Sequence, residues 1–303
     1  MLHNNNELFK QIILRTSEDT GIKAAIIEKD YYATLFLKYI VKELPDIIFK
    51  GGTSLSKCYK LIDRFSEDID LNIDTESNPT EGQRKNLKRS IVSVIDFFGF
   101  TLTNVDNIRS RRFYNKYIVD YPSVFGTECL KENLIIETSV YLRAYPSNKM
   151  MASSLIYDYL HKNGYDELIS EHGLEPFELN VQTAERTLIE KLFALGDYYL
   201  ADKVTEHSRH IYDIYKLLNV VDLNYDLKAL AVEVAAERKT HSACLSAQDG
   251  VDIAKLLREI IDKKVYKEDY EGITSALLFE PVEYDTAIKA LETVLESDIL
   301  ILR

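Results

Sequence analysis

Between Phe49 and Asp74 the chain reads FKGGTSLSKCYKLIDRFSEDIDLNID, and this stretch limits the fold more than any other. The apolar run Ile47, Ile48 and Phe49 stops at Gly51 and Gly52, and Leu55, Tyr59 and Ile62 then recur at helical spacing. The pattern predicts a strand, a tight glycine turn and a helix over Thr53 to Ile62. From Asp68 to Asp74 the residues alternate strictly, Ile69, Leu71 and Ile73 against acids and amides. That is a half-buried strand, and its polar face carries Asp68 and Asp70. A chain so built needs a sheet with one face covered and the other open to solvent.

The remaining periodicities supply such a sheet and its cover. Ile26, Ile27, Tyr31, Leu35, Leu37 and Val41 mark a helix over Ile22 to Leu44, closed by Pro45. Thr80 to Phe98 reads as another helix, ended by Gly99, and Phe100 to Val105, Phe113 to Tyr121 and Asn133 to Leu142 as strands. A short strand at Phe177 to Val181 leads into a helix over Ala184 to Leu200, striped by Leu188, Leu192, Leu195 and Tyr199, and the chain reads as helical from there on. The expected fold class is α+β: a core over residues 1–175, with a mixed, mostly antiparallel sheet and flanking helices, then an all-helical domain over residues 176–303.

Two carboxylates two apart on a strand face repel each other unless a cation lies between them. Mg²⁺, or Mn²⁺, is the hard ion normally held by one or two carboxylates together with substrate phosphates, as nucleotidyl transfer requires. Paired glycines at a helix start let a backbone approach phosphate closely, and the hydroxyls of Thr53 and Ser54 can add donors there. Each half of this constellation has a plainer reading, a capped turn or a solvated strand edge. No G-x-S-x-G, H-E-x-x-H, Walker A or dinucleotide fingerprint is present, so those chemistries lack their minimum residues.

Taken together, Gly51, Gly52, Thr53, Ser54 and then Asp68, Ile69, Asp70 resemble the signature of the AbiEii/AbiGii toxin nucleotidyltransferases. Leu55, Ser56 and Lys57, the run Arg64, Phe65, Ser66, Glu67, and the earlier Glu28, Lys29, Asp30, Tyr31 extend the likeness. Lys191 and Ala194 match the family's K-x-x-A element, and the likeness runs from about residue 28 to residue 216. The resemblance implies a polymerase β-like core followed by helices. It implies that Asp68 and Asp70 hold metal and are catalytic together with Lys191 and Asp213. The NTP would be bound by Gly51, Gly52, Thr53, Ser54, Lys57, Arg64, Ser66 and Lys191, with Gly52 and Ser54 on the β- and γ-phosphates. A later strand usually supplies a third acid in such folds; Glu137 has the position for it, and equally reads as an exposed strand residue. The family's D-x-x-D element departs here to His210, Ile211, Tyr212, Asp213, which also admits a plain surface histidine.

The activity implied is transfer of NMP from an NTP to an RNA end, a tRNA 3′ terminus, by the toxin of a toxin-antitoxin or phage-defence system, with a cognate antitoxin as partner. Transfer to a protein hydroxyl or a small molecule, and a degenerate site that only binds NTP, remain open. A net charge of −12 argues against non-specific wrapping of DNA but not against a local basic groove. Arg84, Lys85, Lys88 and Arg89, then Arg109, Arg111, Arg112 and Lys116 with Phe113, Tyr114 and Tyr117 interleaved, are the basic stretches; a solvated face is their plainer reading. Cys58, Cys129 and Cys244 have no paired spacing and read as reduced thiols. No basic start with an apolar run opens the sequence and no apolar stretch reaches bilayer length, so a cytoplasmic protein with no membrane contact is expected.

Overall fold

The computed structural model describes residues 1–66, 68–73, 75, 79–126 and 133–301. Glu67, Asp74 and Cys129, named above, lie outside the described residues; Cys244 is a buried free thiol. The chain divides into two compact units, residues 1–59 with 66–181, and residues 60–65 with 182–303.

The first unit is a seven-stranded mixed sheet, β1 (Ile47–Lys50), β2 (Asp68–Ile73), β3 (Thr101–Leu102), β4 (Tyr114–Asp120), β5 (Leu134–Ser139), β6 (Ser147–Ala152) and β7 (Phe177–Gln182), ordered β3-β4-β5-β2-β1-β7-β6. β1 runs antiparallel to β2, as β4 does to β3 and β5, while β2 with β5 and β1 with β7 are parallel. Among the described residues the helices that accompany it are α1 (Asn6–Thr20), α2 (Ala24–Glu43), α3 (Gly51–Lys57), α4 (Glu81–Phe97), α5 (Leu155–Lys162) and α6 (Asp166–His172). One sheet face is the core, where Phe49, Ile69, Leu71, Ile136 and Tyr117 pack with Phe36 and Leu37 of α2 and Ile91 and Val94 of α4. A capping box fixes the start of α4: Thr80 accepts from the Gln83 N–H, and the Gln83 side chain accepts from the Thr80 N–H.

The helix expected to reach Ile62 ends at Lys57, because Lys60 takes a left-handed backbone (φ 53°) and residues 60–65 join the second unit. The strand expected over Phe100 to Val105 is reduced to Thr101–Leu102, with a 3₁₀ turn at Val105–Asn107. β6 has no counterpart among the sequence expectations, since its half-exposed, polar residues carry little apolar alternation.

The second unit is helical. α7 (Ala184–Leu200) starts at Thr183, whose hydroxyl accepts from the Arg186 N–H, and is followed by α8 (Arg209–Leu217), α9 (Tyr225–Lys239) and α10 (Ile253–Asp262), with a last helix over Lys289–Glu296. α7 is its axis. At Gly196 a Cβ would come within 2.8 Å of Ser246 and 2.9 Å of Leu256, so glycine is what lets the following elements close on it. Within residues 60–65, Arg64 forms an antiparallel bridge with Leu278, flanked by backbone bonds from Phe65 to Leu277 and from Phe279 to Asp63. No helix among the described residues is long and apolar enough to cross a membrane.

Candidate active site

In the first unit the sheet face opposite the core carries a row of half-buried charges set by strand register. Lys50 of β1 lies opposite Asp70 of β2, Asp70 opposite Glu137 of β5, and Glu137 opposite Lys116 of β4. Asp68 is on the same face one step along, half-buried like Asp70. Side chains directly opposite in a sheet are neighbours, so cation, carboxylate, carboxylate and cation stand side by side. Lys116 Nζ is 3.0 Å from Glu137 Oε1, and the Tyr114 phenol also hydrogen-bonds the Glu137 carboxylate. Burial, and then the charges of Glu137, Asp70 and Asp68, push the Tyr114 pKa up, so its hydroxyl stays protonated and donates.

The glycine turn is built against this row. Gly51 has φ +75°, and a Cβ there would fall 2.0 Å from Asp70 Oδ2 and 2.9 Å from Asp70 Cγ. Only glycine leaves that carboxylate its place. Thr53 and Ser54 are buried, and their hydroxyls point inward: Ser54 donates to the Gly51 carbonyl (2.8 Å), and Thr53 bonds the Asp68 carbonyl and lies 2.9 Å from Ser66 Oγ. These residues staple the turn to the start of β2, so the hydroxyls expected on phosphate are occupied in shaping the turn. Lys57 departs further from its expected place on the nucleotide. It is 4 % exposed, and its ammonium is bonded to the Asp30 carboxylate and carbonyl and to Thr34 Oγ1 (2.6 Å). The other Asp30 oxygen accepts from the Leu155 N–H at 2.8 Å, so this pair ties α3 to α2 and α5.

The donor set fits a hard divalent ion in kind: acidic oxygens on one strand face, with the space of a missing Cβ at Asp70. No group of three or more His, Cys, Asp or Glu side chains among the described residues is gathered tightly enough to hold a metal as it stands. Glu137, the candidate third ligand, is the side chain whose carboxylate Lys116 and Tyr114 engage.

In the second unit Asp213 is fully buried and takes both ends of the Arg64 guanidinium, Nε to Oδ1 and Nη2 to Oδ2, each at 2.7 Å, with Lys191 Nζ at 2.6 Å from Oδ2. Burial alone would raise this carboxyl's pKa; the two cations outweigh it and hold it well below the usual carboxylate range. Burial lowers the Lys191 pKa from its ordinary value, against the pull of Asp213. His210 Nδ1 is 3.4 Å from Lys191 Nζ, and burial first, then the Lys191 charge, drive its pKa well below 6.5. The imidazole is therefore neutral at pH 7, and Asp213 is the carboxylate that Lys191 bonds among the described residues. His210 stacks in parallel with Tyr198 and His207, whose rings are 3.4 Å apart.

The structure thus gathers Gly51, Asp68, Asp70 and Glu137 in one unit and Arg64, Lys191 and Asp213 in the other. Lys50 joins the first group without a sequence signal of its own, and Tyr114, read in sequence only as an aromatic in a basic stretch, joins it through strand register.

Among solved structures, the nucleotidyltransferase toxin MenT4 from Mycobacterium tuberculosis H37Rv superposes with a TM-score of 0.54, over 96 % of this chain and 89 % of that one, at 17 % identity. That likeness establishes the fold. A search of curated proteins finds no match. The sequence model of the family described as nucleotidyl transferase AbiEii toxin, type IV toxin-antitoxin system, matches residues 36–297. That span takes in the glycine turn, β2 and the Lys191–Asp213 cluster. The chain belongs to the AbiEii family of nucleotidyltransferase toxins of type IV toxin-antitoxin systems.

Proposed function

We propose that this chain moves an NMP from an NTP to the 3′ hydroxyl of an RNA, a tRNA, with Mg²⁺ or Mn²⁺ held by Asp68 and Asp70: the 3′ oxygen bonds the α-phosphorus and gives its proton to solvent, and the α–β phosphoanhydride breaks to release pyrophosphate. The observation that carries the reading is the placement of those two carboxylates on one face of β2, with Asp70 directly against the Gly51 turn. Glu137, in register with Asp70, is the third acid on offer. A bound ion there would neutralise triphosphate charge and polarise the reacting oxygens. The rest falls to the chain's own groups. The backbone at Gly51 and Gly52 approaches phosphate, while Thr53, Ser54 and Ser66 hold the turn that presents it. Lys191 serves as the triphosphate cation, and Asp213 with Arg64 fixes its ammonium; this assignment rests on the family's K-x-x-A element. The toxin would act in the cytoplasm, restrained by a cognate antitoxin, in phage defence.

The test is to incubate purified protein with each labelled NTP, a divalent ion and total RNA. Wild type should label a tRNA-sized species, and Asp70→Asn, which keeps the size of the side chain but not its charge, should lower the rate at least about a hundredfold, as losing a charge-stabilising group does. Equal labelling by both proteins would remove the metal assignment. Label appearing on protein instead of RNA would leave the transferase reading in place and replace the acceptor.

A further inference from the structure

From Arg84 to Lys116 the chain carries eight lysines and arginines and two acids, in a protein of net charge −12. The structure folds this stretch into one surface of the first unit. The Arg84 guanidinium of α4 lies over the Phe113 ring at 4.3 Å, and Lys88 Nζ donates to the Ile108 carbonyl at 3.1 Å, so α4 braces the loop that precedes β4. The loop is clamped from below by buried Asn115, whose side chain accepts from the Arg109 N–H (2.9 Å) and donates to the Arg109 carbonyl (3.1 Å). Above that clamp Arg109, Arg111 and Arg112 stay exposed, and Phe113 and Tyr114 remain 39 % and 45 % exposed. Arg109 and Arg112 each reach a backbone carbonyl, and Arg111 pairs with Glu81 where both side chains are mostly in water. Such pairs contribute little, so the cations remain available to a stronger anion. The next residue, Tyr114, is the one that hydrogen-bonds Glu137 on the carboxylate row.

Fixed cations beside exposed flat rings are what single-stranded nucleic acid uses: phosphates neutralised along a groove, bases stacked on aromatic faces. An acidic peptide would need the cations but not the rings. We propose that the Arg109–Tyr114 loop, braced by Arg84, is the surface that holds the single-stranded 3′ end of the acceptor RNA, with phosphates on Arg109, Arg111 and Arg112, a base on Phe113, and the terminal hydroxyl led past Tyr114 to the carboxylates. This rests on the RNA-acceptor reading above.

The test measures binding of a fluorescein-labelled single-stranded RNA of roughly 12 nucleotides, within usual site sizes, to the full-length protein across a salt series. Replacing Arg109, Arg111 and Arg112 together by alanine should reduce the slope of log affinity against log salt by about 2, at about 0.7 per phosphate released. Phe113→Ala should weaken binding at least about fivefold with the slope unchanged. Replacing exposed Lys255, Arg258 and Lys289 together by alanine removes the same charge and should keep the wild-type slope. A wild-type slope in the Arg109/Arg111/Arg112 variant, an equal loss in the control, or equal competition by polyglutamate overturns the surface. Labelling of RNA by wild type with that unchanged slope would fell this surface alone. No RNA binding by wild type would fell the acceptor reading as well, while Mn²⁺ titration of the same protein reports separately on Asp68 and Asp70.

Discussion

At Gly51 a single missing carbon keeps a carboxylate in place. Alanine there would have to hold φ near +75° and set its Cβ 2.0 Å from Asp70 Oδ2, close enough to Cγ that the carboxyl group must swing away rather than bend its tip. The backbone part of this strain costs about 1–2 kcal/mol. Gly51→Ala should therefore fold, with a modest loss in denaturation midpoint, and lose most of its Mn²⁺ affinity in a titration; wild-type Mn²⁺ affinity would show that Asp70 is not a ligand. His210 gives a second residue-scale expectation. Its folded pKa is depressed, so below about pH 6.5 the unfolded chain takes up a proton that the folded imidazole refuses. Stability is unaffected by this group above that pH and falls as pH drops beneath it, by at most about 1.4 kcal/mol per pH unit. His3 and His207 are depressed in the same direction, so they share the loss. His210→Asn should flatten the decline between pH 6.5 and 5.5 in chemical denaturation; an unchanged decline would place the proton uptake elsewhere. Neither residue's surroundings could be read from its neighbours in sequence. The substitution of His210 for the family's first acid was visible, but its contact with Lys191 depends on α7 and α8 meeting across 19 residues. Lys57 shows the same limit: its position next to the glycine turn suggested phosphate, while Asp30, 27 residues earlier, decides where it points.

β2 was legible because its two faces differ residue by residue. A slip of one residue would turn Asp68 and Asp70 into the core and Ile69 and Leu71 out of it. Each unpaired buried carboxylate would cost several kcal/mol, and each exposed aliphatic side chain about 1.5–3 kcal/mol, so the register has no near competitor. α2, α4 and α7 were legible for the parallel reason, a helical apolar stripe, and their observed bounds lie within about two residues of expectation. What a strand pattern does not specify is its neighbour. That β2 is bracketed by β1 and β5, one antiparallel and one parallel, is what aligns Lys50, Asp70, Glu137 and Lys116. The row carries its own prediction. Lys116 stands where a cation bound to Glu137 would have to stand, so an ion using Glu137 must first displace it. Lys116→Ala should bind Mn²⁺ up to about fivefold more tightly, the equivalent of the ~1 kcal/mol upper range for a half-exposed ion pair. Tighter binding read by electron paramagnetic resonance of the free ion would place Glu137 in the metal shell; weaker binding would make Lys116 a support of the site instead.

On the scale of the whole chain, the division into units is not a division into consecutive halves. Residues 60–65 leave the sheet unit, take part in the helical one and return, so the backbone passes from one unit to the other at residues 59/60, 65/66 and 181/182. The helical unit relies on that excursion. Arg64 gives buried Asp213 two hydrogen bonds, the Asp63 N–H donates to the Tyr212 hydroxyl at 3.1 Å, and Lys216 Nζ reaches the Asp63 carboxylate at 2.7 Å. Breaking a buried ion pair by removing one partner costs about 3–5 kcal/mol, a large part of the stability of a small domain. A fragment of residues 182–303 made alone should show little cooperative unfolding in calorimetry, and Arg64→Met in the full chain should lower the stability of the same region in hydrogen exchange. A fragment that melts as sharply as the full chain would show that the excursion is dispensable. For a gene, this interleaving has a consequence that no single contact expresses. Any recombination joint within the stretch encoding residues 66–181 separates Arg64 from Asp213, so two diverged relatives could exchange their helical halves only where positions 64 and 213 still complement each other in the hybrid. The chain is therefore expected to pass between lineages as one block rather than in parts.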